Sequence, residues 1–359
     1  MKSRIDISGI KGDAFVLSNG ILDDGNAKTT HGLIRGSSRF AIKAVIDPVF
    51  AGKDAGEILD GKHRGIPVIA SLEEAIALKG KPDFCIIGIA TEGGVLPENM
   101  MEIIKETLNH GISIVNGLHK YMNDQPEMVA LAEKNNVQLI DVRRPKTFES
   151  LHFWSEEIYE VDCPVIAVMG MDCAIGKRTS ARMLMEACRA SGLKAEMIYT
   201  GQTGWMQGAK YGFIFDSTLN DFVSGELSHA IISAYKNEKP DIIFLEGQSS
   251  LRNPSGPCGP EFLISGNAKK VVLVYRVKQQ YFNDDPKWGP MPPVESEIKL
   301  INAYGAEVIA LMLNTRDCTL EEATKAKDDY GKKLGIPVLL PIEEGVEEIL
   351  PVIIKLTTK

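Results

Sequence analysis

Residues 164–180 read PVIAVMGMDCAIGKRTS. Few sequences constrain a fold as tightly. Val165, Ile166 and Val168 lie in a short apolar run of the kind that forms a buried strand. The run breaks at Gly170, and a second glycine, Gly176, is followed at once by Lys177, Arg178, Thr179 and Ser180. A helical pattern with Leu184, Met185 and Cys188 comes next. Strand, glycine-bracketed loop, lysine, hydroxyl and helix is the layout of a phosphate-binding P-loop. Its glycines let the backbone fold tightly, so that several N–H groups point inward. The helix start adds partial positive charge and Lys177 adds a full one. The predicted cradle is Gly170, Asp172, Cys173, Ala174, Ile175, Gly176, Lys177, Arg178, Thr179 and Ser180. The spacing departs from G-x-x-x-x-G-K-[ST]: five residues separate the glycines, and Arg178 intervenes between Lys177 and Thr179. A glycine-rich strand-to-helix turn without a ligand is the simpler alternative.

The chain's 359 residues suffice for two domains. A net charge of -8 argues against a general nucleic-acid or anionic-membrane surface, so any anion site must be local. The first residues carry no apolar stretch of signal-peptide length, and no segment reaches the length of a membrane span. The six cysteines form no C-x-x-C pair and the six histidines no metal-ligand spacing. A reduced cytoplasmic protein is the expectation.

The first half alternates strand and helix signals, with strands predicted at residues 14–17, 40–46, 66–70, 84–89, 112–115 and 137–142. Helices are predicted at 97–110 and 126–134, and Ser71 with Glu74 has capping-box spacing. Repeated β–α units imply a parallel sheet covered on both faces. Three loops at strand ends are candidate ligand sites: residues 20–30 with Lys28 and Thr29, residues 91–94 (TEGG), and residues 116–119 with His119. None contains G-x-G-x-x-G. Each is also a turn composition, an even alternative for Lys28 and Thr29 and the simpler reading for His119. Residues 145–162 read as a linker that packs between domains, giving an α/β chain with a Rossmann-like domain at 1–148 and a P-loop α/β domain at 149–359.

In the second half, strands are predicted at 194–199, 240–245, 271–277, 308–313 and 338–340. The loop after the first of these contains Thr200, Gly201, Gln202 and Thr203, suited to contacts with substrate. A helix is predicted at 221–236, with Asp216 and Asp221 as candidate caps. Residues 240–245 lead into Glu246-Gly247-Gln248. An acid at the end of a strand beside a P-loop helps to hold magnesium, and Thr179 is the companion hydroxyl. Residues 249–259 form a long loop of the functional kind. Arg276, or Arg252, is placed to hold a substrate carboxylate. Asn314 ends a later strand, where its amide reads a base or caps the next helix. Cys173 at a helix start suits a nucleophile, but a small residue filling a crowded loop is the simpler reading.

The MDCAIGKRTS stretch, the EGQ strand end and the segment KTTHGLIR together resemble the DUF1611 family, which includes D-glutamate N-acetyltransferases of the DgcN type. The resemblance runs over nearly the whole chain. It implies a Rossmann-like domain followed by a P-loop domain, and transfer of an acetyl group from acetyl-CoA to the amine of an acidic amino acid. The P-loop is also similar to that of dethiobiotin synthetase, at Gly170, Asp172, Gly176 and Lys177, with Glu246-Gly247 and Asn314 in corresponding places. Arg178 stands where that family has its metal-binding threonine.

Three functions follow as expectations. An acyltransferase would grip the phosphates of acetyl-CoA with the P-loop and use Glu246 or Asp172 as base. An ATP- and Mg-dependent ligase or kinase would use Lys177 and magnesium on the γ-phosphate. A nucleotide sensor would bind without turnover. The expected partners are a small acidic amino acid and further copies of the chain.

Overall fold

The computed structural model describes residues 7, 9–90, 94 and 96–358, so residues 91–93 of the TEGG loop lie outside the described residues. The chain divides into two compact units. One comprises the residues through Thr147 together with Gln202–Gly208; the other comprises Phe148–Gly201 and Ala209–Lys359.

The first unit is built on β1 (Gly12–Leu17), β2 (Phe40–Ile46), β3 (Val68–Ile69), β4 (Phe84–Ile87), β5 (Ser113–Asn116) and β6 (Leu139–Asp141). All neighbours pair in parallel, in the order β3-β2-β1-β4-β5-β6. This is the doubly wound Rossmann order. The strands are apolar on both faces because both faces are covered. Phe15, Leu17, Cys85, Ile87 and Ile114 pack on one side with Met100, Ile104 and Leu108 of the Glu98–Asn109 helix.

The segment Gln202–Gly208 belongs to this unit, and its packing shows why. Trp205 is 2% exposed, lies under the Arg39 guanidinium at 4.3 Å and meets Phe40 edge-on. Gln207 Nε2 donates to Gly32 O at 2.7 Å. A side chain at Gly117 would strike Gln202 and Met206. The segment reads as a strand-end loop but forms the buried helix Gln202–Met206.

Residues 20–30 also depart from the loop reading. Asp24 accepts from Asn26 N at 2.7 Å and starts a helical turn that runs into the Lys28–Ile34 helix. The carboxylate of Asp47, just past β2, is fully buried. It accepts from Ser18 Oγ (2.7 Å) and from the amides of Gly20, Val49 and Phe50. It ties the loops after β1 and β2 together.

The second unit contains β7 (Val165–Gly170), β8 (Ala195–Tyr199), β9 (Tyr211–Gly212), β10 (Ile242–Glu246), β11 (Lys270–Arg276), β12 (Glu307–Asn314) and β13 (Val338–Leu339). The order is β13-β12-β11-β7-β10-β8-β9, again all parallel. The two-residue β9 is too short to carry a period-2 signal, and no strand is expected there from the sequence. β7 is buried at all six positions and lies between β10 and β11. The Asn220–Glu238 helix begins after Leu219 with no side-chain cap, so neither Asp216 nor Asp221 caps it. The linker after residue 147 packs on this helix. Gly225 is needed there, since a Cβ would lie 1.8 Å from His152 O.

Candidate functional site

The parallel register sets the site. Glu246 at the end of β10 pairs with Val168 of β7, and Leu245 with Ile198 of β8. The P-loop leaves β7 at Gly170, so the loops after β7, β8 and β10 emerge side by side at their carboxyl ends. Gly247 can take no side chain here: a Cβ would lie 2.3 Å from Val168 O. That close approach explains the glycine of the EGQ strand end.

The P-loop turns through Ala174 (φ +52°) and Gly176 (φ +105°) into the Lys177–Ala190 helix. No side chain caps this helix and no acidic residue sits in its first turn. Its first residues are instead cationic, Lys177 and Arg178. A Cβ on Gly170 would lie 2.9 Å from Lys177 Cγ and Cδ, so the glycine makes room for the lysine stem. Lys177 is 7% exposed, and its ammonium donates back to Asp172 O. Burial pushes its pKa down. A buried cation, an uncapped helix start and left-handed backbone turns fit a phosphate group well. Asn314 braces the loop by donating to Ile175 O at 2.8 Å, while its Oδ1 accepts from Arg316 N. Ser180 is buried, and Thr179 is half-buried on the first helical turn. Cys173 Sγ lies 3.5 Å from Ser249 Oγ.

Glu246 is 5% exposed, and its Oε2 accepts from Thr200 N at 3.0 Å. Thr200 Oγ1 donates to Glu246 O at 2.6 Å and accepts from Gln248 Nε2 at 2.9 Å. Burial raises the pKa of Glu246; Arg178 and the amides of Thr200 and Gly201 work against that rise. The result is a carboxylate more basic than a solvated one, held beside the P-loop.

Asp172 is different. It is fully buried, and its carboxylate accepts from Asn253 Nδ2, Gln279 Nε2 and Asn283 N. Three donors from two other loops converge on it. We therefore place it as the tie that holds the P-loop, rather than as a proton acceptor. Asp172→Asn would turn an amide toward donors and strand at least one of them, at a cost of about 1–3 kcal/mol each. The expected outcome is a melting temperature lower by several degrees. Calorimetry showing an unchanged transition would remove this role. Asn253 and Gln279 are not among the expected site residues. The length of the 249–259 loop is the only sequence signal for Asn253, and Gln279 lies just past β11 with none.

The predicted substrate residues separate. Thr200 and Gly201 lie beside Glu246. Gln202 and Thr203 are buried in the first unit, where Arg143 donates to Gln202 Oε1 at 2.8 Å and Thr203 Oγ1 lies 3.0 Å from Thr29 Oγ1. Lys28 is the first residue of the Lys28–Ile34 helix, also in the first unit. Arg276 is ion-paired with Asp284 and Asp317, and Arg252 with the buried Glu297. A substrate carboxylate at either arginine would have to compete with a carboxylate of the protein.

Residues 152–350 match the family described as a domain of unknown function (DUF1611_C), P-loop domain. Residues 48–145 match its Rossmann-like companion, DUF1611_N. A crystal structure of a DUF1611 family protein from Anabaena variabilis superposes with a TM-score of 0.87 at 28% identity, covering 96% of this chain and all of that one. Two curated relatives are named D-glutamate N-acetyltransferase. The one from Pseudoalteromonas sp. is 26% identical over 74% of this chain and 79% of its own length. The one from Tritonibacter scottomollicae is 25% identical over 78% of this chain and 83% of its own. Among the described residues, no helix is long and apolar enough to cross a membrane.

Proposed function

This chain belongs to the DUF1611 family, and we propose that it is an N-acyltransferase that moves an acetyl group from acetyl-CoA to the amine of an acidic amino acid of the D-glutamate kind. The observation that carries the proposal is the pairing of a phosphate-shaped P-loop with a buried, basic Glu246 at the next strand end, in a chain whose named relatives are D-glutamate N-acetyltransferases.

Acetyl-CoA brings the thioester and the phosphates. Lys177, the loop amides and the start of the Lys177–Ala190 helix hold phosphate oxygens without hydrolysing them. Glu246 accepts the proton of the substrate ammonium and leaves a neutral nucleophilic amine. That nitrogen bonds to the acetyl carbon, the carbon–sulfur bond breaks, and the second proton that the nitrogen sheds ends on the departing thiolate. The amides of Thr200 and Gly201 both face Glu246 and hold its carboxylate in place for the first of these proton transfers. With ATP as the ligand, Thr179 and Glu246 are the hard oxygen donors that magnesium would take alongside phosphate and water.

The test is direct. Purified protein with acetyl-CoA is offered D-glutamate, L-glutamate and D-aspartate in turn. Free thiol is followed in solution and the N-acetyl product by mass spectrometry. We expect thiol and product in equal amounts with at least one acceptor. No product from any of them, together with magnesium-dependent ADP formation from ATP, would replace the acyltransferase by a ligase or kinase. Stabilisation by nucleotide with no turnover of either kind would leave a sensor.

A further inference from the structure

Several large apolar side chains of the second unit are exposed, among them Phe148 (64%), Phe153 (68%), Trp154 (39%), Tyr159 (66%), Leu219 (55%) and Ile264 (53%). They form two neighbouring clusters that meet at the consecutive residues Phe153 and Trp154. The Phe148 and Phe153 rings both pack against Phe222, with centroids at 5.2 and 4.6 Å. Leu219 immediately precedes that helix. The Trp154 ring meets Tyr159 edge-on at 5.9 Å. Trp154 Nε1 donates to Ser265 O at 3.1 Å, which brings Ile264 alongside.

The platform beneath is held firmly. His152 N donates to the buried Glu226 at 2.9 Å, and the His152 ring nitrogen lies 2.8 Å from the same oxygen. The His152 and His229 rings stack at 3.5 Å. Ser265 Oγ donates to Ser224 Oγ at 2.8 Å. The aromatic groups are therefore presented in a fixed arrangement, and little ordering remains to be done on association.

The size of the patch narrows its use. At roughly 150–250 Å² for each aromatic side chain, the exposed fractions of the four aromatic residues alone amount to roughly 360–590 Å², to which Leu219 and Ile264 add. Patches on monomers run to about 300–600 Å². One side of a stable interface buries about 800 Å². The flank carries Glu149, Glu156 and Glu160, and the chain's net charge is -8, which disfavours an anionic bilayer.

We propose that this face binds a second copy of the chain as a two-fold dimer. Aromatic rings are self-complementary by offset or edge contact, and a two-fold interface uses the same patch on both partners. An apolar centre with a charged rim, which includes the exposed Lys236–Glu157 ion pair next to Tyr159, matches the anatomy of homodimer interfaces.

Sedimentation of the purified full-length chain is expected to give twice the 39.3 kDa chain mass. Phe153→Asp and Tyr159→Asp should each weaken the dimer by about 10-fold or more, as central aromatic anchors do. Both side chains are two-thirds exposed, so circular-dichroism melts should stay close to wild type; if one variant misfolds, the other decides. Leu320→Asp, exposed at 67% on the helix that packs on β13, at the opposite edge of the sheet from β9 and the Asn220–Glu238 helix, should leave the mass unchanged. A monomeric wild type, a dimer indifferent to both patch variants, or a monomer that binds phosphatidylserine vesicles through Tyr159 would overturn the proposal.

Discussion

Glu246→Gln is expected to reduce acetyl transfer by about 100-fold or more, while the protein melts no lower, and at alkaline pH higher, than wild type. The two halves of this result have one cause. Burial raises the pKa of Glu246, which makes it a better base and also makes its ionised form costly to the fold. A positioned general base contributes roughly 10²–10⁴-fold, and glutamine cannot accept the proton. The sign for stability follows from linkage. A carboxyl whose folded pKa lies above its unfolded one supports the fold fully below the unfolded value, about 4.3, and loses that support as pH rises through the folded value. At pH 8 the native glutamate is therefore a net burden, and the amide relieves it while its oxygen still accepts from Thr200 N. Melts of both proteins at pH 4 and pH 8 check this: the gap should open at the higher pH. An active Glu246→Gln enzyme would assign the base elsewhere. A variant that is inactive but markedly less stable at pH 8 would mean that the residue is structural.

Lys177→Met should weaken acetyl-CoA binding by roughly 10- to 100-fold. Hydrogen bonds to a charged partner contribute about 1.5–3 kcal/mol each, and this ammonium is aimed along the loop. Burial already disfavours the charge on Lys177, and a bound phosphate is the natural compensation. Methionine keeps the stem that lies against Gly170, so packing is preserved. Calorimetric titration with acetyl-CoA measures the loss directly. An unchanged dissociation constant, with folding intact, would show that the phosphates sit somewhere other than this loop.

Much of the second unit is legible in the chain. Residues 165–170 are apolar at consecutive positions because the strand is covered on both faces, and such a run stands out in the amino-acid sequence itself. The Leu320–Leu334 helix carries its own start signal, the reciprocal capping box of Thr319 and Glu322. The EGQ strand end likewise points to a carboxylate beside the P-loop, and the register places it there. Other features depend on distant partners. Gln202–Met206 reads as a glycine-rich loop, yet it is a buried helix because Trp205 and Met206 find Arg39, Phe40 and Gly117, which lie far away in sequence. Lys28 and Thr29 read as loop residues because the cap provided by Asp24 is a single short contact.

Local spacing alone determined that a buried strand runs through two glycines into a lysine-led helix, since strand burial, left-handed turns and a helix start are all written in neighbouring residues. Tertiary structure alone decided which carboxylate is which. Asp172 and Glu246 look interchangeable in sequence, but one is surrounded by three donors from two other loops and the other is buried with its basicity raised. Desolvation and hydrogen bonding set what a carboxylate can do, and both depend on residues that meet only when the chain is folded.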